Sequence, residues 1–183
     1  YRIVDSIVPL FFGLQAAFLL SPETEPSLEI LLSTEFPISK VLWERFFFLL
    51  LFEGAVAFSG NLISTILITD GQGILSDVAR WIPACVFIGG TAIFTTLVTR
   101  QGIFGALLAL LMWGGMLIGM DSLLIRFPFL WPIHVYLQLD KISILNYMIN
   151  RFSLIVFGFL LIIFATYLAK NEERMLGLDG GKK

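Results

Sequence analysis

The sequence predicts an all-α protein: a polytopic integral membrane helix bundle of about five transmembrane helices plus a short re-entrant or interfacial segment. Three observations carry this prediction. Of 183 residues, 57% are hydrophobic and only 14% charged, against roughly 25% charged in an average soluble domain. The mean hydropathy is +0.89, and a soluble domain of this size cannot hide that much apolar surface. The charges are also spaced to leave uncharged runs near the ~20 residues that a helix needs to cross ~30 Å of hydrocarbon.

The elements follow in order. Ser6 to Pro22 gives 17 uncharged residues, read as a span over about 4–21. A longer run, FFFLLLFEGAVAFSGNLISTILIT, follows Arg45 and is broken only by Glu53; its span is placed at 43–68. Trp81 to Thr99 supplies 19 uncharged residues and Gln101 to Met120 supplies 20, giving spans at 81–99 and 101–122. Phe152 to Ala169 supplies 18, for a last span at 149–169. Helices are the choice for each, because unpaired backbone groups in lipid cost several kcal/mol.

The stretch FPFLWPIHVYLQL, Phe127 to Leu139, has two prolines, Trp131, Tyr136 and the only histidine. It is too short to span, and its aromatic and proline content suits a re-entrant or interfacial segment over 127–147. Arg100 alone separates two spans, which predicts a tight hairpin. The stretch 22–42 is longer and acidic. Within it Ser27 to Glu35 reads as a short amphipathic helix, with Pro26 in its first turn and Pro37 ending it. The polar tail, 170–183, is expected to fray.

Positive charge orients the bundle. One side holds Lys40, Arg45, Arg100, Lys170, Arg174, Lys182 and Lys183; the other holds Arg2, Arg80, Arg126, Lys141 and Arg151. The bias favours a cytoplasmic C-terminus and an external start at Tyr1. The chain is expected to be a multi-pass protein of the cell (inner) membrane.

The residues limit the chemistry. The Lys and Arg are scattered, so no nucleic-acid footprint exists. One histidine and one cysteine cannot ligate haem or an iron–sulfur cluster within the chain. There is no phosphate-binding lysine loop, no HExxH and no nucleophile elbow. The expectation is therefore no catalytic residue, no metal and no cofactor, and a role in transport, anchoring or assembly. Glu53 is the sharpest single residue, since ionisable groups within membranes face a cavity or a partner. It is read either as part of a translocation path or as an intramembrane polar contact. His134 is read as a satisfied interfacial histidine and Cys85 as a packing residue. Gly115 and Gly119 have GxxxG spacing, which suits a close helix contact, and Gly89 and Gly90 share that reading.

Two stretches carry a family resemblance. PETEPSLEILLSTEFPISKVLWERF combines an acidic Ser-Leu-Glu stretch, an amphipathic helix, a Pro-Ile-Ser turn and a basic residue before the next span. NYMINRFSLIVFGFLLIIFATYLAKNEERMLG sets Asn150 and Arg151 before the last span and closes on Glu173, Arg174 and Leu176. The layout resembles the permeases of type-2 (exporter) ATP-binding-cassette transporters. Two features depart from that pattern: Pro26 stands where the family has Gly, and five spans are visible where the family has six. The resemblance then implies that the family's first span lies ahead of Tyr1. It implies a transport subunit without enzymatic activity of its own, paired with a separate ATP-binding ATPase subunit, with a second permease copy or related permease, and with membrane lipid. It also implies that Glu23, Glu25, Leu28, Glu29, Leu31 and Leu32 couple the chain to the ATPase. The alternative is a non-catalytic accessory membrane subunit of a larger energy-transducing complex.

Overall fold

A computed structural model describes residues 3–21, 38–68, 74–118, 127–136 and 143–169. The described residues are mostly helical, with no strand among them. Five α-helices follow in order: α1 Ile3–Ala16, α2 Ile38–Ile68, α3 Ile74–Thr99, α4 Gly102–Ile118 and α5 Ile144–Ala169. A short 3-10 helix, Pro128–Ile133, lies between α4 and α5.

Three helices contain segments long and apolar enough to cross a membrane: Ile38–Ile63, Val78–Thr99 and Ile144–Ala169. The apolar helices Ser6–Ala16 and Gly102–Ile118 are shorter. α3 is the central helix. Its spanning window is 72% buried, against 28% for α2 and 33% for α5. The bundle is inverted relative to a soluble protein. Phe48, Leu51 and Phe52 of α2 and Phe152 and Phe164 of α5 face outward, while Glu53, Asn61, Thr96, Asn150, Arg151 and Thr166 are buried. Lipid is the solvent for which that distribution is favourable.

Helix starts differ from the expected spans. α2 begins at Ile38, inside the stretch assigned to the coupling region. Ile38, Leu42 and Phe46 recur every fourth residue and are all buried, so one continuous face draws the helix back toward Pro37. α3 likewise begins at Ile74, ahead of the first residue of its uncharged run. α5 begins at Ile144, where the re-entrant segment was expected to continue to 147. Ser143 caps it: the Asn146 N–H donates to Ser143 Oγ at 3.3 Å, satisfying one of the free donors of the first turn.

Packing is closest at glycines. A Cβ on Gly90 would lie 2.5 Å from the Gly158 carbonyl oxygen, and one on Gly158 would lie 2.5 Å from the Val86 carbonyl oxygen. α3 and α5 thus cross backbone against backbone. Gly13 packs on Ile88, Gly89 on Phe12, and Gly105 on Thr96 and the Ala92 carbonyl. Small residues permit this approach, and in lipid such packing replaces the hydrophobic force between helices. Gly115 departs from its expectation. Nothing lies within 4 Å of its ideal Cβ position, so it makes no such contact among the described residues, and Gly119 lies outside them. By contrast α2 joins through side chains. Phe46 meets Phe12 edge-on at 5.5 Å between centroids, and Trp43 stacks on Phe159 at 5.9 Å.

The α3–α4 connection is the tight hairpin that Arg100 predicts. Arg100 takes a left-handed φ of 63°. Thr99 Oγ1 accepts the Gln101 N–H and donates to the Thr95 carbonyl.

Candidate functional site

Polar groups gather in two clusters at opposite ends of the bundle and at Glu53. The first lies where α1 ends against α2. The chain leaves α1 through two tight turns, with Phe18 N–H donating to the Gln15 carbonyl and Leu19 N–H to the Ala16 carbonyl. The Leu19 carbonyl accepts from Arg45 Nη1 of α2 at 2.6 Å. A guanidinium at the carbonyl end of a helix also meets the negative end of its dipole. Thr96 Oγ1 of α3 donates to the Ala17 carbonyl at 2.9 Å. Phe18 and Ser21 pack on Gly102 at the start of α4.

Eight residues further along α2, about 12 Å by the helical rise, lies Glu53. It is 4% exposed. Gln15 Nε2 of α1 donates to Glu53 Oε1 at 2.7 Å. The sequence singled out Glu53 but not its partner. Gln15 was legible only as a polar residue in an uncharged run, and nothing in the sequence pairs positions 38 residues apart. On the same face of α2, Ala57 and Asn61 are also buried.

The second cluster lies at the opposite end. Pro9 of α1 lacks an N–H and disturbs the ladder of the preceding turn. Donors from neighbouring segments reach the same turn at Ser6. Trp113 Nε1 of α4 donates to the Ser6 carbonyl at 2.7 Å, and Tyr136 Oη approaches the same oxygen at 3.5 Å. The segment 127–136 is fastened to α5 by the pair Asn150 and Arg151. Asn150 Nδ2 donates to the Trp131 carbonyl at 2.8 Å and to the His134 carbonyl at 3.1 Å. Arg151 Nη1 donates to the Val135 carbonyl at 2.7 Å, and its guanidinium lies 4.7 Å from the Tyr147 ring centroid. Such an arrangement satisfies a non-helical backbone within a bundle. His134 is 2% exposed, and its Nδ1 accepts the Tyr136 N–H at 3.2 Å. It is thus held by its own backbone as well as by α5.

Between these ends lies the packed middle, where Cys85 is fully buried. Among the described residues no group of three or more His, Cys, Asp or Glu is placed to hold a metal. The residues expected to meet an ATPase, Glu23, Glu25, Leu28, Glu29, Leu31 and Leu32, lie outside the described residues, as do Glu173, Arg174 and Leu176. The two ends of the undescribed stretch 22–37 are nonetheless fixed. Ser21 is fully buried on one side, and Ile38 is buried on the other.

The chain matches no protein-family model, no curated protein and no solved structure.

The Gln15–Glu53 bond can be measured directly. A double-mutant cycle of Gln15→Leu and Glu53→Leu is expected to give a coupling of about 0.6 kcal/mol, the average for hydrogen bonds between membrane helices, and no more than about 1.7 kcal/mol. Chemical denaturation in mixed micelles would read it. Strict additivity of the two changes would show that the contact contributes nothing.

Proposed function

We propose that this chain is the transmembrane permease subunit of an ATP-binding-cassette exporter. It would move substrate across the cell (inner) membrane using a separate ATPase subunit. The observation that most supports this reading is the placement of Ser21 and Ile38, the residues that flank the 22–37 connection. That connection joins α1 to α2 at the level where Arg45 ties α2 to the Leu19 carbonyl. A push on that connection would therefore be delivered to two helices that are already bonded to each other. Coupling of this kind needs two arrangements of the bundle whose balance the ATPase shifts.

The five-span reading has support of its own. Ser6, Trp113, Tyr136 and Asn150 belong to one cluster, while Ala17, Leu19, Arg45, Thr96 and Gly102 belong to another. Helices that alternate in direction bring such residues to opposite ends. α4, with 17 described residues, is about 25 Å long at 1.5 Å per residue, close to the hydrocarbon thickness. With five crossings, a cytoplasmic 22–37 connection leaves the C-terminus cytoplasmic. The segment 127–136 then lies at the external end, before the last crossing.

In this reading Leu28, Leu31 and Leu32 seat in an ATPase groove, and Glu23, Glu25 and Glu29 meet basic residues around it. A second permease copy, or a related permease, completes the transporter. The test is gentle purification from native membranes. An ATPase subunit with a phosphate-binding lysine loop is expected to co-purify, and Leu28→Asp with Leu31→Asp is expected to abolish its recovery. If the chain comes instead with other subunits and never with an ATPase, the exporter reading falls, and the accessory subunit of a larger complex replaces it.

A further inference from the structure

His134 is the only histidine of the chain, and it is bonded in a way that protonation would undo. It is 2% exposed, and its Nδ1 accepts the N–H of Tyr136, two residues on, at 3.2 Å. That nitrogen accepts only while it carries no proton, so the buried ring is neutral, with its proton on Nε2. The bond closes the turn that follows the 3-10 helix Pro128–Ile133, as an asparagine oxygen does in an Asx-turn. Val135 and Tyr136, which follow, are buried in one apolar cluster with Ala84 and Phe87 of α3 and Leu154 of α5.

The surroundings oppose a cation at this turn. From α5, Asn150 Nδ2 donates to the His134 carbonyl and Arg151 Nη1 to the Val135 carbonyl. Both contacts present donors, and one of them is charged. Tyr147 of α5 lies against the Arg151 guanidinium, and the Tyr136 hydroxyl is directed to the Ser6 carbonyl. Among the described side chains, those of α1 and α4 include no titratable group, while α3 carries Arg80 and Cys85 on either side of Ala84. Opening the turn lets the ring take a proton that the closed turn has no place for. Opening is therefore favoured as pH falls, by up to about tenfold per pH unit for one proton.

We propose that the 127–136 segment is an acid-released latch, with His134 as its trigger. A proton from the medium on Nδ1 breaks the bond to the Tyr136 N–H. The segment then leaves the clamp of Asn150 and Arg151 and uncovers the apolar surface of Phe87 and Leu154 on which it packs. That the latch faces the external medium rests on the span order proposed above. Its chemistry does not, and its test succeeds or fails whether or not an ATPase is recovered.

The test is hydrogen exchange in detergent micelles at about pH 7.5 and about pH 5.5, which bracket imidazole titration, with intrinsic exchange rates divided out. The His134 and Tyr136 amides, held by the Trp131 carbonyl and by His134 Nδ1, are expected to lose protection about tenfold or more at the lower pH. Amides within α5 are expected to keep theirs. His134→Asn retains an oxygen for the Tyr136 N–H but takes up no proton, so it should be equally protected at both. Asp5→Asn, Asp77→Asn, Asp121→Asn and Asp140→Asn remove the carboxylates that flank these elements in the sequence, and each should respond as wild type does. With one histidine in the chain, the ring's own titration is also readable by NMR in the wild type, and the loss of protection should follow it; that comparison decides the matter if His134→Asn does not fold. The proposal is overturned if wild-type protection is the same at both pH values, if α5 loses protection together with the segment, if His134→Asn responds as wild type does, if one Asp variant abolishes the response, or if protection falls where the ring does not titrate.

Discussion

Gly158→Leu is expected to prevent assembly of the bundle or to cost it about 3 kcal/mol or more. The reason is that α5 crosses α3 with no side chain between them. Even a Cβ on Gly158 would sit 2.5 Å from the Val86 carbonyl oxygen and 2.8 Å from Val86 Cγ1. A leucine adds three further carbons where the neighbour is backbone, which cannot turn aside as a flexible side chain would. The helices must separate, and that loosens the contact that most buries α3. Because lipid tails are as apolar as the side chains, little hydrophobic force restores the pair once close packing is lost. Gly90→Leu, meeting the Gly158 carbonyl from the other side, should behave alike. The control is Gly115→Leu, which meets open space and should leave the melting temperature in detergent nearly unchanged. Equal melting of the Gly158 and Gly115 variants would refute the close-crossing account.

The second large effect is expected at Asn150. Asn150→Leu keeps the number and branching of side-chain heavy atoms but removes the donor to the Trp131 and His134 carbonyls. Taking the donor from a buried carbonyl costs about 1–3 kcal/mol; of the two carbonyls that Asn150 serves, that of Trp131 keeps the His134 N–H at 3.2 Å, so the loss falls on the His134 carbonyl. The segment 127–136 should then detach before the helices part. The expected outcome is a lower melting temperature together with faster protease cleavage within that segment. Arg151→Met, which frees the Val135 carbonyl, should do the same, and the pair should be less than additive because both hold one segment. Protection equal to wild type in both variants would mean that other contacts hold the segment in place.

Much of the architecture was legible in the sequence because lipid imposes a simple rule. Uncharged runs mark helices, and the single Arg100 between two runs marks a hairpin. Helix starts were less legible. The starts of α2, α3 and α5 each lie in stretches containing charged or polar residues, such as Lys40, Asp77 and Asn146. Counting uncharged residues places a span where hydrocarbon begins, whereas a helix continues into the interface wherever one face stays buried or a residue such as Ser143 caps it.

The site was legible only in part. Glu53 stands out because a carboxyl in an apolar run is conspicuous by itself. Its partner Gln15, the clamp of Asn150 and Arg151 on the 127–136 carbonyls, and the meeting of Trp113 and Tyr136 at Ser6 depend on which helices are neighbours. Composition does not encode that. The glycines illustrate the difference, since Gly115 had GxxxG spacing and meets nothing within 4 Å, whereas Gly158 had no such spacing and crosses backbone against backbone with Gly90, which the sequence did single out.

The sequence by itself therefore determined the solvent, the helical class and the hairpin at Arg100, because these follow from local polarity summed over a window. Tertiary structure alone decided which polar groups satisfy one another and which glycines touch. Those outcomes depend on side chains brought together from distant parts of the chain, and in lipid, where apolar faces are interchangeable, close packing and hydrogen bonds select the partners.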